Sequence, residues 1–216
     1  PGPLTTISAL FGLVKNGSLI PHLGASLGRV LLAMVCAFIP ASALGLAAGR
    51  SKKLDAFVSP LAYLVHPLPK IAFLPVILVV MGLGEVSKVF LVAIIVFTQI
   101  LVSARDAAAR IHPLTVEAVR SLGAGRMAIA RLVVLPAVLP DLFTALRVSM
   151  GTAIAVLFMA ETFASESGLG WFIIDAWTRV AYPSMYAGIL ALGLCGLGLF
   201  ALLDAAERIA CPWRFV

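Results

Sequence analysis

Charged side chains are scarce in this sequence, at 12% of its 216 residues, whereas an ordinary soluble domain has about 25%. Hydrophobic residues make up 62% of the chain, and the mean hydropathy is +1.09. A water-soluble fold of this size cannot hide that much apolar surface. The shortage of charge therefore excludes an ordinary soluble protein and indicates a protein that lies in a membrane.

Sequence motifs for catalysis, nucleotide binding and metal binding are also missing. Without a GxxxxGKS/T phosphate loop, the chain is not an ATPase of that class. Without HExxH or GxSxG, the case for a membrane protease or esterase is weak. The three cysteines, Cys36, Cys195 and Cys211, have no CxxC or metal-ligand spacing, and the three histidines are scattered. We therefore expect no metal site, no cofactor and no catalytic site within this chain.

Long tracts with little or no charge divide the sequence and predict membrane spans. A helix needs about 20 mostly apolar residues to cross a bilayer, and these tracts are continuously apolar instead of alternating as barrel strands do. The predicted fold class is an all-α, polytopic membrane protein, with residues 1–216 forming a single transmembrane domain. The five predicted spans are residues 24–48, 61–83, 88–104, 142–161 and 185–207.

Basic residues cluster at alternate junctions between the predicted spans. Because basic residues are retained on the inner side of a membrane, we assign these junctions and the C-terminus to the cytoplasm. Residue 1 then lies outside, and an additional upstream span is expected. The net charge of +6 fits this clustering better than a nucleic-acid-binding stripe, since no aromatics are interleaved with it. Ten of the 16 Lys and Arg lie at these junctions: Arg50, Lys52, Lys53, Arg105, Arg110, Arg120, Arg126, Arg131, Arg208 and Arg214.

The first 20 residues are predicted to contain an external helix at the membrane surface. The apolar stretch is too short to cross a bilayer, so we interpret it as an interfacial helix. An ordinary helix packed on the spans is the alternative. Its apolar residues share one helical face: Leu4, Ile7, Phe11 and Val14.

The longest polar stretch lies within residues 106–136 and is predicted to form a helix, a glycine turn and a second helix. Pro113 suits the first turn of a helix, and Gly123 with Gly125 suit its end. Pro136 predicts a kink or break where the second helix enters the membrane. A narrow apolar ridge on the first helix suits a groove of a soluble partner: Leu114, Ala118 and Leu122.

This segment contains Glu117-Ala118-Val119, then Gly123, and then Val133-Val134-Leu135-Pro136. It resembles the EAA signature of binding-protein-dependent ABC importer permeases, which is E-A-A, three residues, G, nine residues and I-x-L-P. Val119 and Val133 replace an alanine and an isoleucine of that pattern. Other segments look similar to the nitrate, sulfonate, taurine and bicarbonate branch of the family: residues 66–75, 82–88, 144–147, 160–161 and 168–171.

The resemblance implies a type I importer permease in the cytoplasmic membrane of a prokaryote. It implies a homodimer around one pathway, two cytoplasmic ATPase subunits that bind ATP and Mg, and an external substrate-binding protein. The EAA helix would be the coupling helix that docks into each ATPase. The residues that carry over to this role are Glu117, Ala118, Leu122, Gly123, Leu135 and Pro136.

Polar residues inside the spans are candidates for the translocation pathway, since such groups are costly in a bilayer. Thr98 and Gln99 either line the pathway or hydrogen-bond a neighbouring helix. Glu161 is interpreted as a solvated carboxylate at an outer helix end, and the resemblance suggests a gate role. Arg147 is interpreted as reaching toward the cytoplasm, and Lys70 as an interfacial anchor at the start of a broken helix. The candidate pathway residues are Thr98, Gln99, Met159 and Glu161.

Two other functions stay open on the sequence. An ion-gradient-driven secondary transporter is the strongest alternative, although the inverted repeats common in such proteins are not evident. A membrane enzyme is the second, but no His, Cys or carboxylate cluster shares a helical face. Gly168-Leu169-Gly170 is a bare GxG that we interpret as an external turn instead of a nucleotide site. The resemblance favours small anions as substrates, with thiamine-precursor, riboflavin-like and aromatic substrates open.

Overall fold

The computed structural model describes residues 2–65, 67–163 and 165–214, and within these ranges the chain is helical without a strand. Two short 3-10 turns cover Lys70–Phe73 and Pro212–Arg214, and one π-helical turn covers Ala130–Val134. The predicted all-α fold class is confirmed. The helices are α1 Pro3–Lys15, α2 Ile20–Arg50, α3 Lys52–Val65, α4 Leu74–Met81, α5 Glu85–Ala109, α6 Pro113–Ser121, α7 Arg126–Ile129, α8 Leu135–Phe163, α9 Leu169–Thr178 and α10 Tyr182–Ala210.

Among the described residues, four helical segments are long and apolar enough to cross a membrane, and a bent pair adds a fifth if it forms one span. The four are α2, α5, the continuous stretch Arg126–Phe163 and α10. The fifth consists of α3 and Lys70–Met81, which meet at 78°. The span predicted over 61–83 is therefore bent within its predicted bounds, before Lys70. Pro67 and Pro69 explain the break, because proline donates no backbone hydrogen bond and disfavours helix in the residue before it.

The chain forms two compact units. The first unit comprises Pro1–Val35, Pro69–Ile95 and Met150–Ala201, and the second comprises Cys36–Leu68, Val96–Ser149 and Leu202–Val216. Helices α2, α5, α8 and α10 each contribute residues to both units. The predicted single domain over 1–216 and its subdivision stay predictions.

The core of the first unit places α1 against α9 and α10. Leu19, Leu169, Phe172 and Ala191 form a buried cluster, and Leu10 and Leu13 of α1 pack against it. The four apolar residues that the sequence analysis placed on one face of α1 point away from this cluster, and Leu4 and Phe11 are 83% and 71% exposed. The predicted helix is confirmed, and its position at a membrane surface stays a prediction.

The second unit is held together by close approach of α2 and α5. A Cβ placed on Gly45 would lie 2.7 Å from the Cβ of Ala104, and one placed on Gly49 would lie 2.8 Å from that of Ala108. Glycine on one helix facing alanine on the other, four residues apart on both, is the small-residue packing that membrane helices use. This contact positions the end of α5, from which the predicted coupling segment begins.

Candidate coupling segment and translocation pathway

The predicted coupling helix exists as α6, and its N-terminus is capped by His112. The imidazole Nδ1 of His112 accepts a hydrogen bond from the Leu114 N–H at 3.2 Å. Pro113 occupies the first helical position, where its missing N–H leaves no donor unpaired. The helix is nine residues long and lies between the start predicted at Pro113 and the end predicted at Gly123.

Gly123 ends the segment in a left-handed turn. Its φ is +87°, and its N–H donates to the carbonyl of Arg120 at 2.9 Å. No described atom lies within 4 Å of a Cβ placed on Gly123. Within the described chain, glycine is therefore required here by backbone conformation and not by crowding. Gly125, with a φ of −73°, has an ordinary conformation.

One face of α6 is anchored in the second unit and the other is open. Val116 is 5% exposed and belongs to a buried cluster that includes Ala108 of α5 and Val138 of α8. Glu117 and Ala118, on the open side, are exposed. The predicted apolar ridge lies there too, with Leu114 at 65% and Leu122 at 86% exposure. The core of the second unit therefore holds α6 in place while the apolar ridge on its other face is exposed to solvent. The role of this ridge in coupling stays a prediction.

The segment continues into α8 without a break. The kink or break expected at Pro136 is replaced by a π-helical turn over Ala130–Val134, just before the proline. In this turn the Leu135 N–H donates to the Ala130 carbonyl. This wider turn precedes Pro136, which donates no backbone hydrogen bond of its own. Ile129 and Val134 are buried in the same cluster as Val116. Leu135 is 42% exposed and Pro136 half-buried. Residues 126–163 thus form a continuous helical connection from the glycine turn into α8.

The predicted pathway residues fall in different units. Gln99 of α5 is half-buried and lines a cavity of about 290 Å³ in the second unit, whereas Thr98 is 6% exposed and does not line it. Met159 and Glu161 of α8 lie in the first unit, where Met159 is 39% exposed. Glu161 is 1% exposed, so its interpretation as a solvated carboxylate is wrong.

Glu161 is buried because an arginine on α2 neutralises it. Arg29, 4% exposed, donates from Nη1 to Glu161 Oε1 at 2.6 Å and from Nη2 to Glu85 Oε1 at 2.6 Å. The Arg29 Nε also pairs with Glu85. Its remaining bonds reach the Ser167 carbonyl at 2.9 Å and hydroxyl at 2.7 Å. All of the guanidinium nitrogens are thus used, as a buried charge requires.

The loop after α8 wraps around the Glu161 carboxylate. Gly170 donates its N–H to Glu161 Oε2 at 2.9 Å, and the Ser26 hydroxyl lies 2.8 Å from both carboxylate oxygens. Gly168 has a φ of +111°, and a Cβ there would overlap the carboxylate. The glycines of Gly168-Leu169-Gly170 are therefore required by a tight fit around Glu161.

Lys88 adds a second buried cation beside this group. It is 3% exposed and donates from Nζ to Ser165 Oγ at 2.9 Å, with Glu85 Oε1 at 3.7 Å. Arg29 and Lys88 are thus balanced by Glu85 and Glu161. We call these four residues the ionic cluster; it ties α2, α5 and α8 together in the first unit.

Arg147 also has specific partners. Its Nη2 lies 2.6 Å from both Asp204 Oδ1 and Glu207 Oε2, and Glu207 further pairs with Arg214. Arg147 therefore holds α8 to α10 within the second unit, and its reach toward the cytoplasm stays a prediction. Lys70 begins the 3-10 turn that follows the break in the fifth span, as predicted.

Comparison with known families decides the identity of the chain. A family model described as the inner membrane component of binding-protein-dependent transport systems matches residues 41–213. The chain belongs to this family. The matched region includes α6, the glycine turn and the entry into α8.

Relatives of this permease are named for transport of small solutes. The taurine transport system permease protein TauC of Escherichia coli K12 is 32% identical over 211 residues, which are 98% of this chain and 76% of TauC. The putative aliphatic sulfonates transport permease protein SsuC of Bacillus subtilis 168 is 28% identical over 99% of this chain and 78% of its own length. The nitrate import permease protein NrtB of Synechocystis PCC 6803 is 25% identical over 98% of this chain and 80% of its own length.

A solved structure shares the fold. A chain from inward-facing structures of the MetNI methionine ABC transporter superposes with a TM-score of 0.75 at 21% identity, covering 88% of this chain and 95% of that one. With the family match, this confirms the predicted type I importer fold. The protein is the permease subunit of an ABC importer, a multi-pass protein of the inner membrane.

Sequence reasoning missed most of the ionic cluster of this permease. Only Glu161 was a candidate, and Arg29 was overlooked although it lies inside the first predicted span. Arg29, Glu85 and Glu161 each stand near the predicted outer end of a span. Opposite charges at the same depth on different spans are a signal of pairing, because single charges there are costly.

Proposed function

We propose that two copies of this permease enclose a pathway for a small anion, with nitrate, sulfonates, taurine and bicarbonate as the substrate class. The observation that carries this proposal is the 32% identity to the taurine permease TauC over 98% of the chain. The sulfonate and nitrate relatives support the same class. An external binding protein delivers the substrate and sets much of the selectivity.

We infer that the chain itself performs no catalysis. ATP and Mg bind to two separate cytoplasmic ATPase subunits, and each subunit receives one α6. The exposed ridge of Leu114, Ala118 and Leu122 supports this role, because an apolar helical ridge seats well in a partner groove. Glu117 stands beside the ridge, and Gly123 shapes the turn that follows it.

Coupling would then act through the continuous helical connection. When ATP closes the ATPase dimer, the two α6 helices are drawn together, and Leu135 and Pro136 move with them at the start of α8. The buried contacts of Ile129 and Val134 support this transmission, since a packed core moves as one body. The pathway opens outward as a result.

The orientation we propose places α6 and the C-terminus in the cytoplasm. Its support is the concentration of basic residues at α6 and at the two other junctions on the same side. Glu161 and the loop after it then face the outside.

The experiment is reconstitution of the permease with the ATPase and binding protein encoded by neighbouring genes. Proteoliposomes should take up radiolabelled taurine, an alkanesulfonate, nitrate or bicarbonate only when all components and ATP are present. Uptake driven by an ion gradient without the ATPase would support the secondary transporter. ATP-driven uptake of a formylaminopyrimidine but of no anion would keep the importer and overturn the substrate class.

A further inference from the structure

A row of polar residues follows one face of α5 in the second unit. The row runs toward α6 with helical spacing, and its last member lies one residue beyond the end of α5: Gln99, Ser103, Asp106 and Arg110. Opposite this row, Asp141, Thr144 and Ser149 of α8 line the same cavity of about 290 Å³. Ala145 and Val148 of α8 complete the lining of this cavity, and we call its seven polar residues the polar wall.

The polar wall is suited to water and not to lipid. Amide, hydroxyl and charged groups are costly against hydrocarbon, so they face an aqueous cavity or other protein. Ser149 is fully buried, and its hydroxyl has no hydrogen-bond partner among the described residues. Buried hydroxyls are normally hydrogen-bonded, and the cavity is large enough for several waters at about 30 Å³ each.

The polar wall ends at an ion pair that also borders the coupling helix. Arg110 Nη2 lies 2.9 Å from Asp141 Oδ2, and the two side chains are 68% and 47% exposed. Both residues line a second cavity, of about 610 Å³, together with His112, Thr115 and Val119 at α6. An exposed pair of this kind contributes only about 0–1 kcal/mol, so either partner can exchange it for another ion at little cost.

Asp106 is held differently. Its carboxylate accepts from Arg105 Nη1 at 2.8 Å, and Arg105 also pairs with Asp55 through Nε at 2.6 Å. Asp106 therefore has a cationic partner close by. Arg110 is the cation of the polar wall. Its one ion-pair partner among the described residues is Asp141, and that carboxylate is itself well exposed.

We propose that the polar wall lines the inner half of the translocation pathway and that Arg110, paired with Asp141 between transport events, is the cation that a substrate anion contacts there. This inference rests on the proposed anion importer. A confined, water-filled cavity concentrates the field of such a charge on a passing ion. Thr98, which faces the packed core, has no part in this pathway.

Cysteine accessibility tests the location of the pathway in the assembled transporter. Ser103→Cys and Thr144→Cys are introduced with Cys36 and Cys195 replaced by serine. Cys211 is kept because it is buried, and burial raises the pKa of its thiol, so it reacts slowly. The control is Leu202→Cys, an exposed apolar position of α10.

A membrane-impermeant thiosulfonate should modify positions 103 and 144 at least tenfold faster than position 202, and substrate should slow the reaction. Rates at 103 and 144 equal to the control would overturn the proposed pathway. So would rates at 103 and 144 that substrate leaves unchanged. ATP-driven uptake measured in the same samples shows separately whether the importer function holds.

Charge substitutions test Arg110. Arg110→Gln should lower anion uptake at least fivefold, whereas Arg110→Lys should keep at least half of it. Copurification with the ATPase should stay near the unmodified level in both, since α6 is unchanged. Full uptake by Arg110→Gln, or an equal loss in Arg110→Lys, would overturn the role of the positive charge while leaving the importer function standing.

Discussion

The guanidinium Nη1 of Arg29 lies 2.6 Å from Oε1 of Glu161, and the two side chains are 4% and 1% exposed. The pair joins α2 to α8. Arg29 also binds the Ser167 carbonyl, and the adjacent Gly168 packs against the Glu161 carboxylate. Removing one member of a buried pair strands the other charge, whereas replacing both with apolar groups of similar volume is often tolerated. The first unit should therefore lose more stability when one member of the pair is replaced than when both are replaced by apolar residues.

Glu161→Ala should lower the stability of the purified permease by about 3–5 kcal/mol, because Arg29 and Lys88 lose their buried counter-charge. Thermal unfolding in detergent measures the effect. The matched control is Glu166→Ala, an exposed carboxylate five residues further on, which should change the midpoint little. The double variant Arg29→Met/Glu161→Leu should recover part of the loss, and equal effects of Glu161→Ala and Glu166→Ala would contradict a buried pair.

Helix packing in the second unit predicts that Gly49→Val destabilises the protein. Its Cβ would lie 2.8 Å from that of Ala108, and overpacking of this kind costs about 1–3 kcal/mol. Gly24→Val on the same helix is the control, because a Cβ there meets no described atom within 4 Å. Thermal unfolding and expression level report the difference. If Gly24→Val is as damaging as Gly49→Val, helix propensity and not close packing explains the result.

The proposed orientation predicts the side from which single cysteines react. A cysteine at Ser51, exposed between α2 and α3, should be labelled only from the cytoplasm. A cysteine at Glu166 should be labelled only from outside, and this position is preferable to Ser167 because the Ser167 hydroxyl is bonded to Arg29. Impermeant maleimide on intact cells and on inverted vesicles distinguishes the sides, and reversed labelling would exclude a cytoplasmic α6.

Sequence patterns between neighbouring residues predicted most of the helices of this permease. They did not predict which residues pair over long distances in the sequence. Charge-free tracts indicated the spans, and Pro113 with Gly123 bounded α6, because each of these effects depends on neighbouring residues. The ionic cluster joins residues 29, 85, 88 and 161, which only the fold brings together. Glu161 was interpreted as solvated because its sequence neighbours do not indicate that Arg29 faces it.

The glycine turn after α6 leads to the prediction on coupling. Gly123 has a φ of +87°, a left-handed conformation that costs a residue with a side chain about 1–2 kcal/mol. Gly123→Leu should therefore shift or loosen the turn that joins α6 to α7. Membrane insertion should be unaffected, since it depends on the apolar spans, which keep their sequence.

The expected result for Gly123→Leu is a permease that reaches the membrane but retains its ATPase weakly or hydrolyses ATP without moving substrate. Copurification with the ATPase and uptake in proteoliposomes measure both outcomes. Gly125→Leu is the matched control, because Gly125 lies two residues away with an ordinary φ of −73° and open space around its Cβ position. It places the same side chain in the same loop without backbone strain, so a defect confined to Gly123→Leu assigns the effect to the shape of the turn. Equal defects in both variants would point to crowding of the docking surface instead. Normal ATPase retention together with normal uptake in Gly123→Leu would remove Gly123 from the coupling mechanism.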